Sequence, residues 1–324
     1  MNCSPQRHST KFGTPVDYRL TLYGVHFVFL SIFLCVVSIT LQVIGFTAIS
    51  TVCARCSFIL FLIFIAFSLS NQIFIAPRNS SSYNKWLEFN PVENLNICVV
   101  MTAYNDEESI GISVKDFKTR EFVGEVIAID NNSTDKTSAI AEQAGARVYR
   151  ESIQGYGACC MRALKEGLKS NCNVVCLVEG DGTFSGSDLK KLVAYLENAD
   201  MVIGTRTTIE LNTPDSQMNL FMQYGNVFMA KLLQLRFWKV RLTDLGCTYR
   251  IIRKDSLARI IERLTITGNE FLCEMTLAAL EENLKVIEVP LSLKKRIGKS
   301  KGVGGNIYKG FMTGMRMWRL ILFN

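Results

Sequence analysis

Residues 177–186 read LVEGDGTFSG, an apolar run that stops at two carboxylates flanking a glycine, with a second glycine close behind. A buried strand explains the apolar part, because strands of parallel sheets read as continuous hydrophobic runs. The acid-Gly-acid-Gly tip suits either a surface turn or two carboxylates swinging toward one cation where regular strand geometry ends. Outward from this stretch the pattern recurs. Apolar runs at 95–103 (LNICVVMTA), 125–130 (EVIAID), 146–150 (ARVYR), 173–180 (NVVCLVEG) and 200–206 (DMVIGTR) alternate with helical stretches. This alternation predicts an α/β fold with a Rossmann-like, mostly parallel, doubly wound sheet. One more strand is expected at 284–293 (LKVIEVPLSL). Ligands of such sheets bind outside the carboxyl ends of the strands. That rule selects 102–107, 130–135, 179–183 and 204–206, four polar strand ends on one edge.

The chain has 324 residues, 48% of them hydrophobic and 20% charged, enough for one or two domains with a real core. From Leu20 to Ala54, and again from Cys56 to Pro77, no Asp, Glu, Lys or Arg occurs. Each block can cross a bilayer, so residues 20–76 are expected to form a transmembrane helical hairpin turning near Arg55. A cleaved signal peptide fits poorly, since the apolar part is too long and a second span follows. Arg7, Lys11 and Arg19 precede the hairpin, and Arg78 and Lys85 follow it. The positive-inside rule then predicts an integral membrane protein with a cytoplasmic tail at 1–19 and the soluble part on the cytoplasmic face. Residues 77–94 read as a linker, 95–301 as the α/β domain and 302–324 as an amphipathic membrane-interface helix. In that last segment Ile307, Phe311, Met315, Trp318 and Leu320 are interleaved with Lys309, Arg316 and Arg319. An ordinary packed helix is the plain alternative.

The only histidines, His8 and His26, precede the α/β domain, which excludes histidine-based triads and histidine-ligated metals there. A metal would have to sit on oxygen ligands, which favours Mg²⁺ or Mn²⁺. Eleven cysteines, several inside apolar runs, read as small hydrophobes rather than a disulfide framework. The net charge of +7 is modest, and no basic-aromatic patch points to nucleic acid. Basic residues gather instead at Lys294, Lys295, Arg296, Lys299 and Lys301, which suits a phosphate or a membrane surface.

The segments MTAYNDEESI, IDNNSTDKT, QGYGA, EGDGTF, GTR, DLGCTYR and RIGKSK occur in an order that resembles the inverting family 2 glycosyltransferases of GT-A fold. Among these, the polyprenyl-phosphate sugar transferases and dolichol-phosphate mannose synthases are the most similar. The resemblance covers 95–301 and implies a nucleotide-sugar donor, UDP- or GDP-linked, and a divalent metal. It places Thr102, Ala103, Tyr104, Asp106, Asp130, Gly155, Gly157 and Gly180 around the nucleotide sugar. Gly155-Tyr156-Gly157 would lead into a helix whose N–H groups face a diphosphate. Glu179-Gly180-Asp181 matches the Asp-x-Asp metal motif with Glu for the first Asp, so Glu179, Asp181 and Thr183 are the expected metal site. Asp181, Asp244, Arg206 and Arg250 are the expected catalytic residues, and Arg296, Ser300 and Lys301 the acceptor-phosphate residues. The chain departs from the family with Asn131 for a second Asp and Gln154 for a Lys, and its spans precede the domain.

A lipid phosphate acceptor is already anionic and attacks without deprotonation, whereas a hydroxyl acceptor needs a base, for which Asp244 is the first choice. The hairpin and the basic C-terminal cluster favour a polyprenyl phosphate partner at a membrane. A hydroxyl acceptor and a non-catalytic membrane scaffold are the rivals, and an oligomer is compatible with the sequence. A nucleotidyltransferase is disfavoured, because no Gly/Lys-rich triphosphate loop opens the domain.

Overall fold

The computed structural model describes residues 19–74, 89–216, 218–237, 240–298 and 307–323. The expected tail at 1–18 and most of the expected linker lie outside them, as do Ser300 and Lys301. Two long helices, α1 (Arg19–Val43) and α2 (Thr47–Phe74), come first. The sheet strands are β1 (Ile97–Ala103), β2 (Val123–Asp130), β3 (Arg147–Arg150), β4 (Val174–Glu179), β5 (Met201–Thr205), β6 (Arg250–Arg253) and β7 (Val286–Pro290). Helices α3 (Ile110–Lys118), α4 (Thr137–Gln143), α5 (Tyr156–Lys169) and α6 (Leu189–Leu196) connect the first five strands. Helices α7 (Leu220–Arg236), α8 (Lys254–Ile260), α9 (Phe271–Glu281) and α10 (Ile307–Phe323) complete the chain.

The seven strands are ordered β3-β2-β1-β4-β6-β5-β7, and all neighbours run parallel except across β6. The mostly parallel sheet was expected. The antiparallel β6 was not, because its four residues, RIIR, begin and end in arginine and give no apolar run. Every residue of β1 is buried, as a central strand covered on both faces requires. Alternation along β1 divides the core. Cys98 and Val100 join one cluster with α5, α7 and α9, while Val99 and Met101 join the other with α3 and α6. Register sets Ala103 opposite Asp130 and Thr102 opposite Glu179, so three polar strand ends stand side by side.

Helices α1 and α2 each contain a stretch long and apolar enough to cross a membrane. They form the expected hairpin through small polar contacts, with Ser31 Oγ donating to Ser57 O at 2.8 Å and Ser38 Oγ to Ser50 O at 2.8 Å. Such residues let helices approach closely where water is absent. Large side chains facing outward, such as Phe33, Val43 and Phe58, are exposed. An apolar surface of this kind fits lipid rather than water. The ten cysteines among the described residues are free.

The amphipathic terminal helix is more integrated than a surface helix. In α10, Met317, Ile321 and Leu322 are buried in the main core, while Tyr308, Phe311 and Met315 stay exposed. Arg236, with no exposure at all, ties α7 to it by donating to Ile321 O at 3.0 Å and pairing with Glu281.

Arg250 also departs from expectation. It opens β6 and is wholly buried, donating to Cys247 O, Leu272 O and Thr276 Oγ1. Its guanidinium cross-links the sheet to α9 and lines neither cavity described below, so a catalytic role does not fit it. Replacing Arg250 by Ala leaves buried carbonyls without donors and opens a hole. We expect a loss of about 3 kcal/mol or more, read as a lower melting temperature of the full chain.

Candidate active site

The strand-end rule holds. A cavity of about 650 Å³ lies beyond the carboxyl ends of β1, β2 and β4. Thr102, Ala103, Tyr104 and Asp106 line it from the β1 end, Asn131 from the β2 end, and Glu179 and Asp181 from the β4 end. Asp106 turns back on its own loop and accepts from Tyr104 N–H at 3.0 Å. A second cavity of about 420 Å³ runs between α7 and α10 and is mainly apolar. Its walls include Phe221, Phe228, Met229, Phe311, Met315 and Trp318. Gly225 on this wall has nothing within 4 Å of where a Cβ would stand, which keeps the space open. Tyr156, Glu179, Asp181, Asn269, Arg296 and Thr313 line both cavities. The polar and apolar spaces therefore meet at the acidic strand tip.

At that junction the carboxylates are held by specific partners. Asp181 Oδ1 accepts from Thr183 N–H at 3.0 Å and Thr183 Oγ1 at 2.6 Å, so Thr183 orients Asp181. Arg296 bridges two strand ends, with Nη1 donating to Asp181 Oδ2 and Nη2 to Asp106 Oδ1, each at 2.8 Å. Glu179 Oε1 accepts from Thr248 Oγ1 at 2.7 Å, and Thr248 is hydrogen-bonded in turn to the Tyr156 hydroxyl. Burial, joined by the neighbouring Asp181 charge, pushes the Glu179 carboxyl up to about 7, against the lowering effect of the Thr248 hydrogen bond. Gly182, with φ of +79°, makes the turn behind Asp181 that a side chain would strain.

Asp244 does not fit a proton-accepting role. Both its oxygens are taken by Arg206, at 2.7 Å to Nε and 2.9 Å to Nη2, and it is fully buried. Its carboxyl stays below the usual range because the Arg206 charge and hydrogen bonds outweigh desolvation, the largest single influence. Glu288 on β7 fixes this pair by accepting from Thr243 N–H and Asp244 N–H, each at 2.8 Å. Its signal in the sequence was an acid inside an otherwise apolar strand. Arg206 itself lines the apolar cavity.

Several expected nucleotide contacts lie elsewhere. Asp130 is buried and accepts from Ser133 N–H at 3.0 Å, while its neighbour Asn131 faces the cavity. Asn131 shapes that wall, donating to Ile153 O at 2.7 Å and accepting from Gly155 N–H at 2.9 Å. The α5 N-terminus is not open to a diphosphate, because Gly157 N–H and Ala158 N–H both donate to Thr267 O. Gly155 and Gly157 are there for close packing, since a Cβ would stand 2.5 Å from Thr267 O and 2.4 Å from Ile266 O. Glu274 holds this capping loop by accepting from Thr265 N–H and Ile266 N–H at 3.0 Å each. Gly180 is likewise a packing glycine, since a Cβ there would stand 2.3 Å from Ile110 Cδ1. Sequence reasoning also missed that α10 roofs the polar cavity, through Tyr308, Lys309, Met312 and Arg316.

Comparison with known proteins bears on the family and the fold. The glycosyl transferase family 2 model matches residues 98–261. Protein RfbJ of Shigella flexneri is 32% identical over 115 residues, 35% of this chain and 87% of that protein. An undecaprenyl-phosphate mannosyltransferase of Micrococcus luteus is 25% identical over 222 residues, 65% of this chain and 89% of that protein. Among solved structures, glucosyl-3-phosphoglycerate synthase of Mycobacterium tuberculosis, in complex with Mn²⁺, UDP-glucose and phosphoglyceric acid, shares the fold. Its TM-score is 0.53 at 17% identity, covering 70% of this chain and 80% of that one.

The raised Glu179 carboxyl sets a pH dependence of stability. Folded Glu179 keeps its proton up to about 7, whereas its ordinary value is 4.5. Between those values the folded state binds more protons, so stability is highest below this window and falls as pH rises through it. The slope should reach about 1.4 kcal/mol per pH unit. Thermal melts of wild type and Glu179→Gln across this window should differ by that slope, with the variant the more stable above pH 7.

Proposed function

Taking as premise that the chain belongs to glycosyl transferase family 2 and has the GT-A fold, we propose that it is a membrane-bound hexosyltransferase. It moves a hexose from a UDP- or GDP-sugar to a polyprenyl phosphate, with inversion at the anomeric carbon. The observation that carries this reading is the meeting of a polar strand-end cavity and an apolar cavity at Glu179 and Asp181. A nucleotide sugar fits the first, an isoprenoid chain the second, and the reacting atoms the junction. Lys294 and Arg296, which line the apolar cavity, offer positive charge to an acceptor phosphate. The aromatic cluster at its outer end connects it to the hairpin. Phe29 of α1 packs on Phe228 and Trp318, with ring centroids 5.9 and 5.5 Å apart. Trp318 Nε1 also donates to His26 Nε2 at 3.0 Å. The lipid then reaches the site from the membrane side without crossing water. With the spans oriented by their basic flanks, the catalytic domain faces the cytoplasm.

The donors at the junction suit Mg²⁺ or Mn²⁺, since they are oxygens and the mutual repulsion of Glu179 and Asp181 falls when a cation sits between them. Among the described residues no group of three acids, histidines or cysteines is placed to hold a metal, so a metal here would take ligands from the substrate as well. Asp181 and Glu179 would hold the metal, which offsets the charge that develops on the leaving diphosphate. The acceptor phosphate oxygen attacks as an anion, so no base is required. The closed Arg206–Asp244 pair is consistent with that and disfavours a hydroxyl acceptor. Thr102, Ala103, Tyr104 and Asn131 orient the donor, and Tyr156 and Thr248 hold Glu179.

Full-length protein in membranes, given radiolabelled nucleotide sugars, Mn²⁺ and a polyprenyl phosphate, should form a charged, organic-extractable glycolipid. Asp181→Ala should reduce the rate by at least about a hundredfold. Label found only in polymer or protein would refute the lipid acceptor, and near-normal turnover by Asp181→Ala would refute the metal site.

A further inference from the structure

One contact at the junction bears directly on how metal and acceptor are used. Arg296 Nη1 and Nη2 hold Asp181 and Asp106, each at 2.8 Å, and the side chain is only 14% exposed. Asp181 Oδ1 is already engaged by Thr183, so Arg296 sits on the carboxylate oxygen that a metal would need. Guanidinium and metal ask for the same charge, and a carboxylate oxygen directed at one is lost to the other. The Nε of that guanidinium is buried with no hydrogen-bond partner. An oxyanion arriving at the junction would satisfy it.

We propose that Arg296 is a positioning residue that exchanges counter-ions. It holds Asp106 and Asp181 together until a metal-bound diphosphate takes Asp181, and its freed guanidinium then pairs with the acceptor phosphate. This rests on the metal-dependent reading above and adds a counter-ion exchange to it. Arg296 lines both cavities, so the guanidinium group released from Asp181 stays at the junction where an acceptor phosphate would arrive. Lys294 on the apolar side supplies charge to an incoming phosphate but does not bridge the two strand-end acids, and Arg206 is closed on Asp244.

The test is Mn²⁺ binding to the detergent-solubilised full chain, followed by electron paramagnetic resonance, first with Mn²⁺ alone and then with UDP present. Arg296→Gln should bind Mn²⁺ alone about tenfold more tightly than wild type, the worth of a lost charge-assisted hydrogen bond. Arg296→Lys keeps the charge but not the planar fork, and should fall between the two. In steady-state assays Arg296→Gln should raise KM for the lipid phosphate about tenfold or more while leaving KM for the nucleotide sugar within about twofold. Equal or weaker Mn²⁺ binding by Arg296→Gln would overturn the exchange, and an unchanged lipid-phosphate KM would overturn its second half. If Arg296→Gln fails to fold, Arg296→Lys carries the test alone. It loses the planar fork on Asp181 and Asp106 and should bind Mn²⁺ more tightly than wild type, and equal or weaker binding would overturn the proposal. Absence of Mn²⁺ binding by every form, with or without UDP, would instead sink the metal reading itself and the exchange with it.

Discussion

Negative charge gathered at neighbouring strand ends is the constraint around which this molecule is arranged. Parallel pairing of β1 with β4 leaves the chain no choice but to bring the segments after Thr102 and Glu179 to the same edge. Carboxylates confined there repel one another in a medium that screens poorly. The structure answers with Arg296 across Asp106 and Asp181, with Thr183 beneath Asp181, and with the Tyr156–Thr248 relay behind Glu179. Such an edge needs positive charge beside it, and Arg296 supplies it.

A second arrangement serves the acceptor. Helix α10 turns Tyr308, Lys309, Met312 and Arg316 toward the polar cavity and Phe311, Met315 and Trp318 toward the apolar one. Its buried end is pinned by Arg236 and its aromatic middle meets α1 through Phe29 and His26. The same helix thus joins the hairpin, the core and both halves of the site. The Arg206–Asp244 pair, fixed by Glu288, forms a rigid wall rather than a proton relay.

Much of this was legible in the residues. The sheet, the hairpin and the four strand ends that line the two cavities follow from hydrophobic runs and from the strand-end rule. Asp181 and Arg296, singled out from the motifs, both line the junction of the two cavities. Other residues were placed near the chemistry because their motifs are, yet packing has claimed them. Arg250 serves the sheet–α9 contact, Asp130 its own turn, and Gly155 and Gly157 the fit of α5 against Thr267. A motif fixes a residue's neighbourhood along the chain but not which way its side chain points.

The sequence by itself determined which segments are strands, where they end in polar residues, and which two helices are apolar enough for lipid. Those are local properties, set by the period and length of apolar runs. Only the tertiary structure decided partners: that Arg296, from a loop 115 residues beyond Asp181, bridges it to Asp106, that Asp244 is sealed by Arg206, and that α10 walls both cavities. The reason is physical. A buried charge must be paired wherever the fold brings a counter-charge, and that pairing depends on distances in space that spacing along the chain does not encode.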